Sequence, residues 1–100
     1  MDDNDLKKAL SLVGDKWSPQ ILYFLHKNGP SRFGECQHLA MVNTKTLTQR
    51  LVSLEKGGLI SKEEYSEYPP RTVYSLTSKG LALVPVFESM AVWAEQNLKV

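Results

Sequence analysis

From Asn43 the chain reads Thr44-Lys45-Thr46-Leu47-Thr48-Gln49-Arg50-Leu51-Val52-Ser53-Leu54-Glu55-Lys56, followed by Gly57-Gly58. Leu47, Leu51 and Leu54 recur at i, i+4 and i+7, which is one apolar stripe along a helix. Asn43 is a side-chain cap for its first turn. Gly57-Gly58 stops it, because glycine accepts the left-handed backbone on which helices end. A helix over about 44–56 measures about 20 Å at ~1.5 Å per residue. The stripe leaves Thr44, Lys45, Thr46, Thr48, Gln49, Arg50 and Ser53 on the other faces, with no carboxylate among them. Cations beside polar tips suit a surface that must meet ordered anions.

Upstream, Leu6, Ala9, Leu10 and Val13 have helical spacing, Asp2, Asp3 and Asp5 favour the N-terminal end, and Gly14 closes it. Trp17, Ile21, Phe24 and Leu25 mark a second helix, capped by Asp15 or by Ser18, with Pro19 suited to the first helical position after Ser18. Asn28-Gly29-Pro30 is a turn. A short third helix is expected from Ser31 through Phe33 and Cys36 towards Leu39.

Downstream the period changes. Leu59 to Tyr65 and Thr72 to Leu76 are β-capable, and Ser66-Glu67-Tyr68-Pro69-Pro70-Arg71 between them cannot continue a ladder, since proline lacks the donor. Thr77 caps a final helix from about Ser78 to Leu98, which Pro85 must bend or divide. That helix is apolar nearly all round. A helix buried on one side needs only a stripe. The excess is expected to be covered by a second copy of the chain.

Composition sets the limits. One hundred residues, 42% hydrophobic and 23% charged, fit one globular domain spanning 1–100. The longest apolar run, Leu81 to Phe87, is far below the ~20 residues that cross a bilayer, so no membrane partner is expected. The N-terminus is acidic and shows no signal peptide, and a single cysteine argues for a reducing, cytoplasmic setting. The net charge of +1 names no partner, so everything rests on where the charges sit. No nucleophile–base pair, phosphate-cradling glycine loop or supported carboxylate pair is present, so no catalysis and no cofactor are expected. Cys36 reads as a small buried hydrophobe, and it shares no helical face with His38, so no metal is expected either. Trp17 and Trp93 either line a ligand pocket or simply pack. The hairpin tyrosines Tyr65, Tyr68 and Tyr74 are expected under the wing.

Together these elements make an α+β, mainly α fold: a winged helix-turn-helix with a C-terminal dimerisation helix. The helix at about 44–56 takes the recognition position and the hairpin at about 60–76 is the wing. Arg50 suits guanine and Gln49 adenine, unless either touches only phosphate.

Five further pieces carry a family resemblance. They are Gly14-Asp15-Lys16-Trp17, Gly29-Pro30-Ser31-Arg32-Phe33-Gly34-Glu35, Lys45 to Leu51, Leu54-Glu55-Lys56-Gly57-Gly58-Leu59-Ile60, and Tyr65 through Pro69-Pro70-Arg71 to Thr77. In this order the chain resembles the HxlR-type winged-helix transcriptional regulators, relatives of the MarR-like set. The resemblance implies a homodimer joined through about 3–13 and 78–98, on a two-fold-related operator in double-stranded DNA. Leu6, Leu10, Leu83, Phe87, Met90, Ala91, Ala94 and Leu98 are the interface residues it suggests. It implies base contacts from Thr44, Lys45, Thr46, Thr48, Gln49 and Arg50, and phosphate contacts from Ser31, Arg32 and Arg71. Two features depart from the pattern. Residues 1–13 hold none of the cysteines with which many members sense oxidants, and the turn Leu39-Ala40-Met41-Val42-Asn43 lacks the usual glycine. The expected function is a sequence-specific repressor, with any small-molecule effector left open. The alternative is a winged-helix protein-interaction module that does not read DNA, a reading prompted by Glu63, Glu64 and Glu67 in the hairpin.

Overall fold

Local chemistry sets the helix ends. The computed structural model describes residues 2–99, with the side chains of Leu39 and Ala40 outside the description. Helix α1 (Asp3–Val13) opens on Asp2, whose carboxylate accepts from the Asn4 N–H at 3.0 Å. Helix α2 (Trp17–Asn28) is capped by Asp15, which accepts from the N–H groups of Trp17 at 3.0 Å and Ser18 at 2.9 Å. Of the two caps the sequence allowed, Asp15 is the one used. Ser18 lies inside the helix and is buried, so Pro19 is its third residue rather than its first.

The helix expected from Ser31 starts two residues later. Ser31–Arg32 is a short strand, β1, and helix α3 covers Phe33–Ala40. Glu35 folds back to accept from the Arg32 N–H at 2.9 Å, the three-residue spacing of a capping box counted from Arg32. Met41 ends α3 with φ 50°, taking the left-handed position that glycine fills more cheaply. Helix α4 (Thr44–Lys56) begins with the Asn43 side chain accepting from the Thr46 N–H at 2.8 Å. After it, Gly58 provides the left-handed turn at φ 79°.

Strands β2 (Ile60–Tyr65) and β3 (Arg71–Leu76) form the hairpin, in register from Ile60–Leu76 to Tyr65–Arg71. β1 pairs with β3 through Ser31–Tyr74 and Arg32–Val73, so the sheet has three antiparallel strands in the order β1-β3-β2. The hairpin is thus laced to the start of the helix-turn-helix, which the sequence pattern did not reveal. Pro85 divides the final helix: α5 (Ser78–Leu81) is capped by Thr77, and α6 (Val84–Asn97) has the proline in its first turn, where no N–H is needed. Gly80 is buried at the closest approach of α5 to the hairpin base, where a Cβ would run into the Leu59 carbonyl.

Ile21, Leu22 and Leu25 of α2, Cys36 of α3, and Leu47, Leu51 and Leu54 of α4 make the core with Val42, Leu59, Ile60 and Tyr74. Each fully buried leucine contributes roughly 1.5–3 kcal/mol, so the inner stripe of α4 is what fastens that helix down. The two terminal helices contrast with it. No residue of α1 is buried, and in α6 only Val84 is.

Candidate nucleic-acid interface

Fastening α4 by Leu47, Leu51 and Leu54 turns a second stripe to solvent. It runs Lys45, Gln49, Val52 and Lys56, the same spacing displaced by two residues, and all four side chains are exposed. Val52 and Lys56 escaped the sequence reading, although the arithmetic that found the leucines also finds them. Lys45 and Lys56 meet no carboxylate within salt-bridge distance among the described residues.

The remaining expected contacts divide. Arg32 is exposed beside the N-terminal end of α3. Thr44 is exposed and its hydroxyl accepts 2.6 Å from the Gln37 amide, which ties α3 to the first turn of α4. Thr48 is exposed and donates to the Thr44 carbonyl at 2.8 Å. Thr46 is half-buried. Ser31 is buried and its hydroxyl donates to the Gly29 carbonyl at 2.8 Å, so it supports the turn before β1 rather than presenting itself outward. Arg50 is half-buried on the flank of α4, with Nη1 3.5 Å from the Asp15 carboxylate. Burial alone would raise the Asp15 pKa, but hydrogen bonds from Ser18 and Trp17 and the Arg50 charge outweigh it and hold the carboxyl below its ordinary value.

The hairpin follows another plan. Arg71 lies 3.1 Å from Glu67, with its guanidinium 4.4 Å from the centre of the Tyr65 ring. Lys62 is 3.3 Å from Glu64. The Tyr65 hydroxyl donates to Glu63 at 2.8 Å, which pushes its pKa up. Tyr74 is buried, as expected of a residue under the wing, but Tyr65 is exposed at the end of its strand and Tyr68 at the tip is fully exposed, so neither packs there. The Cys36 thiol is buried, and burial, then the Glu35 charge, push its pKa up to about 11. A groove of about 650 Å³ between α2 and α6 is lined by Tyr23, Phe24, Phe87 and Met90, and neither tryptophan reaches it.

This arrangement has close counterparts. The pattern of the HxlR-like helix-turn-helix family matches residues 12–100. The chain belongs to the HxlR-like helix-turn-helix family. An HTH-type transcriptional regulator of Halalkalibacterium halodurans is 37% identical over 98 residues, covering 97% of this chain and 87% of that protein. YodB of Bacillus subtilis, also an HTH-type transcriptional regulator, is 37% identical over 92 residues, covering 91% and 81%. The reduced form of YodB superposes with a TM-score of 0.84 at 36% identity, over 97% of this chain and 95% of that one. The oxidised form of the redox regulator HypR gives 0.85 at 32% identity, over 96% and 99%. The HxlR-like chain is accordingly a helix-turn-helix regulator of transcription that binds DNA, and not an enzyme. Its fold is the winged helix of these regulators. No helix among the described residues is long and apolar enough to cross a membrane.

Proposed function

We propose that this chain is a homodimeric, sequence-specific repressor in the cytoplasm that places α4 of each subunit in a major groove of a two-fold-related operator. The observation that carries the reading is the outward stripe of α4, where Lys45 and Gln49 stand exposed with no carboxylate on the first ten residues of the helix. Cations approach phosphates, and a glutamine amide matches an adenine edge with two hydrogen bonds. Thr44, Thr46, Thr48, Arg32 and Arg71 complete the proposed contact set, with Arg32 and Arg71 on phosphates. Two recognition helices related by a two-fold axis reach half-sites roughly 34 Å apart, one helical turn of DNA, or a multiple of it.

The dimer reading rests on exposed apolar side chains of the terminal helices, among them Leu6 at 53%, Leu10 at 55%, Met90 at 60% and Trp93 at 57%. Leu83 and Phe87 already pack against the chain's own core, so Met90, Ala91 and Leu98 of α6, with Leu6 and Leu10 of α1, are the more available part of the proposed interface. Leu6→Glu with Met90→Glu is expected to halve the sedimentation mass, and an unchanged mass would refute the interface.

Selection of random-sequence duplexes by the purified protein tests the whole reading. An enriched inverted repeat is the expected result. A second reading, a protein-docking winged helix that ignores DNA, draws on the ion-paired hairpin, and selection without enrichment or salt-sensitive retardation would favour it.

A further inference from the structure

We propose that Arg50 is a positioning residue: held by Asp15, it fixes the angle of α4 against the turn between α1 and α2, and it reads no base. The inference rests on the DNA reading of α4 given above. Arg50 lies three residues after Leu47 and four before Leu54, so it shares their side of the helix rather than that of Lys45 and Gln49. Its guanidinium points at the α1–α2 turn, and both side chains of the pair are 29% exposed.

Asp15 is an unusually fixed partner. One of its oxygens receives the N–H groups of Trp17 and Ser18, while the other faces Arg50 at 3.5 Å. The carboxylate is also at the N-terminus of α2, where the helix dipole favours a negative charge. An arginine facing an anion so immobilised is drawn to one place, the mouth of the α1–α2 turn.

The far end of α4 is tied as well. Lys79 donates to the Gly57 carbonyl at 3.1 Å and Thr77 to the Gly58 carbonyl at 2.6 Å. Both ties come from the segment that leads into α6. The recognition helix is therefore braced on one flank to the α1–α2 turn, at the cap of α2, and at its C-terminus to the cap and first turn of α5. That second tie sits on the segment that leads into α6, one of the helices on which the dimer is proposed to close. An error in the tilt of α4 becomes, across a two-fold axis, an error in the separation of two reading heads.

The test uses Asp15→Ser, which keeps a hydroxyl cap on α2 but cannot reach Arg50, together with Arg50→Ala and the double variant. Each is measured on the selected repeat, on repeats with the half-sites moved by one base pair, and by a base-preference profile. Each single variant is expected to weaken binding by about 5-fold and the double no further, as coupled residues do. Base preference should be unchanged at every position, while discrimination against altered spacing falls. A merely destabilised fold would move the melting temperature without relaxing the spacing rule. Arg50→Ala leaves Asp15 on its cap, so a folded variant exists even if Asp15→Ser fails to fold. A changed base preference in Arg50→Ala, tighter binding by Asp15→Ser, additive losses or no loss each overturn the brace. No enriched repeat for the unaltered protein overturns the DNA reading itself, and the brace with it.

Discussion

The outward face of α4 and the hairpin both face away from the core, yet they are charged on opposite plans. On α4, Lys45 and Lys56 stand without a carboxylate partner among the described residues. On the hairpin, Lys62 is paired with Glu64 and Arg71 with Glu67, and Glu63 adds a further negative charge. The difference matters because of what each cation exchanges on meeting DNA. A free lysine displaces condensed counterions from the phosphates, which is the main source of affinity. A cation already held by a carboxylate trades one anion for another and leaves the carboxylate facing the phosphates. On the function proposed above, sequence readout falls to α4, and the hairpin adds only a phosphate contact weakened by its own carboxylates.

That contrast can be broken or sharpened by measurement. The largest effect is expected from Lys45→Ala combined with Gln49→Ala, which should weaken operator binding by well over about 100-fold, since the dimer loses two contacts per subunit at ~1–3 kcal/mol each. Retention of the operator by this variant in equilibrium binding would move readout away from α4. Salt dependence comes next. If a dimer contacts about eight phosphates, log K should fall with a slope of roughly −7 against log salt. Arg71→Ala should weaken binding to all sequences alike and reduce that slope by about 1 per subunit, as losing the proposed phosphate contact does, whereas an unchanged slope would remove Arg71 from the contact set. Glu67→Gln sharpens the same point from the other side. It frees Arg71 and should tighten binding a few-fold, about the value of one exposed ion pair. The smallest effect belongs to Cys36, beneath both regions. Its raised pKa of about 11 leaves it a buried thiol at pH 8, so alkylating reagents should modify it only when the chain is unfolded, and diamide should leave DNA affinity unchanged. Rapid labelling of the folded protein, followed through the protein's mass, would reopen a redox role.

Much of the fold was legible because it is written over short distances. Asn43, Gly58 and Thr77 act on backbone groups a few residues away, and Leu47, Leu51 and Leu54 meet one core through helical geometry alone. The same reach explains the misreading at Ser31. A serine before a helical pattern looks like a cap, but Ser31 pairs with Tyr74, more than forty residues away, and no local rule announces that partner. The hairpin tyrosine Tyr68 stands fully exposed rather than packed, because it lies in the tip beyond the last ladder pair, Tyr65–Arg71, where no strand or helix is alongside to cover it.

The sequence by itself determined the helix-turn-helix, the hairpin, the break at Pro85 and the cation-bearing character of α4. These follow from periodicity, capping and the missing donor of proline. Only the tertiary structure decided that the sheet has a third strand, that Ser31 is sealed inside, and that Arg50 turns to Asp15 instead of joining Lys45 and Gln49. A residue on the flank of a helix has two neighbours to choose between, and the choice is made by what the rest of the chain brings alongside. Here that is a carboxylate held still by the helix it caps.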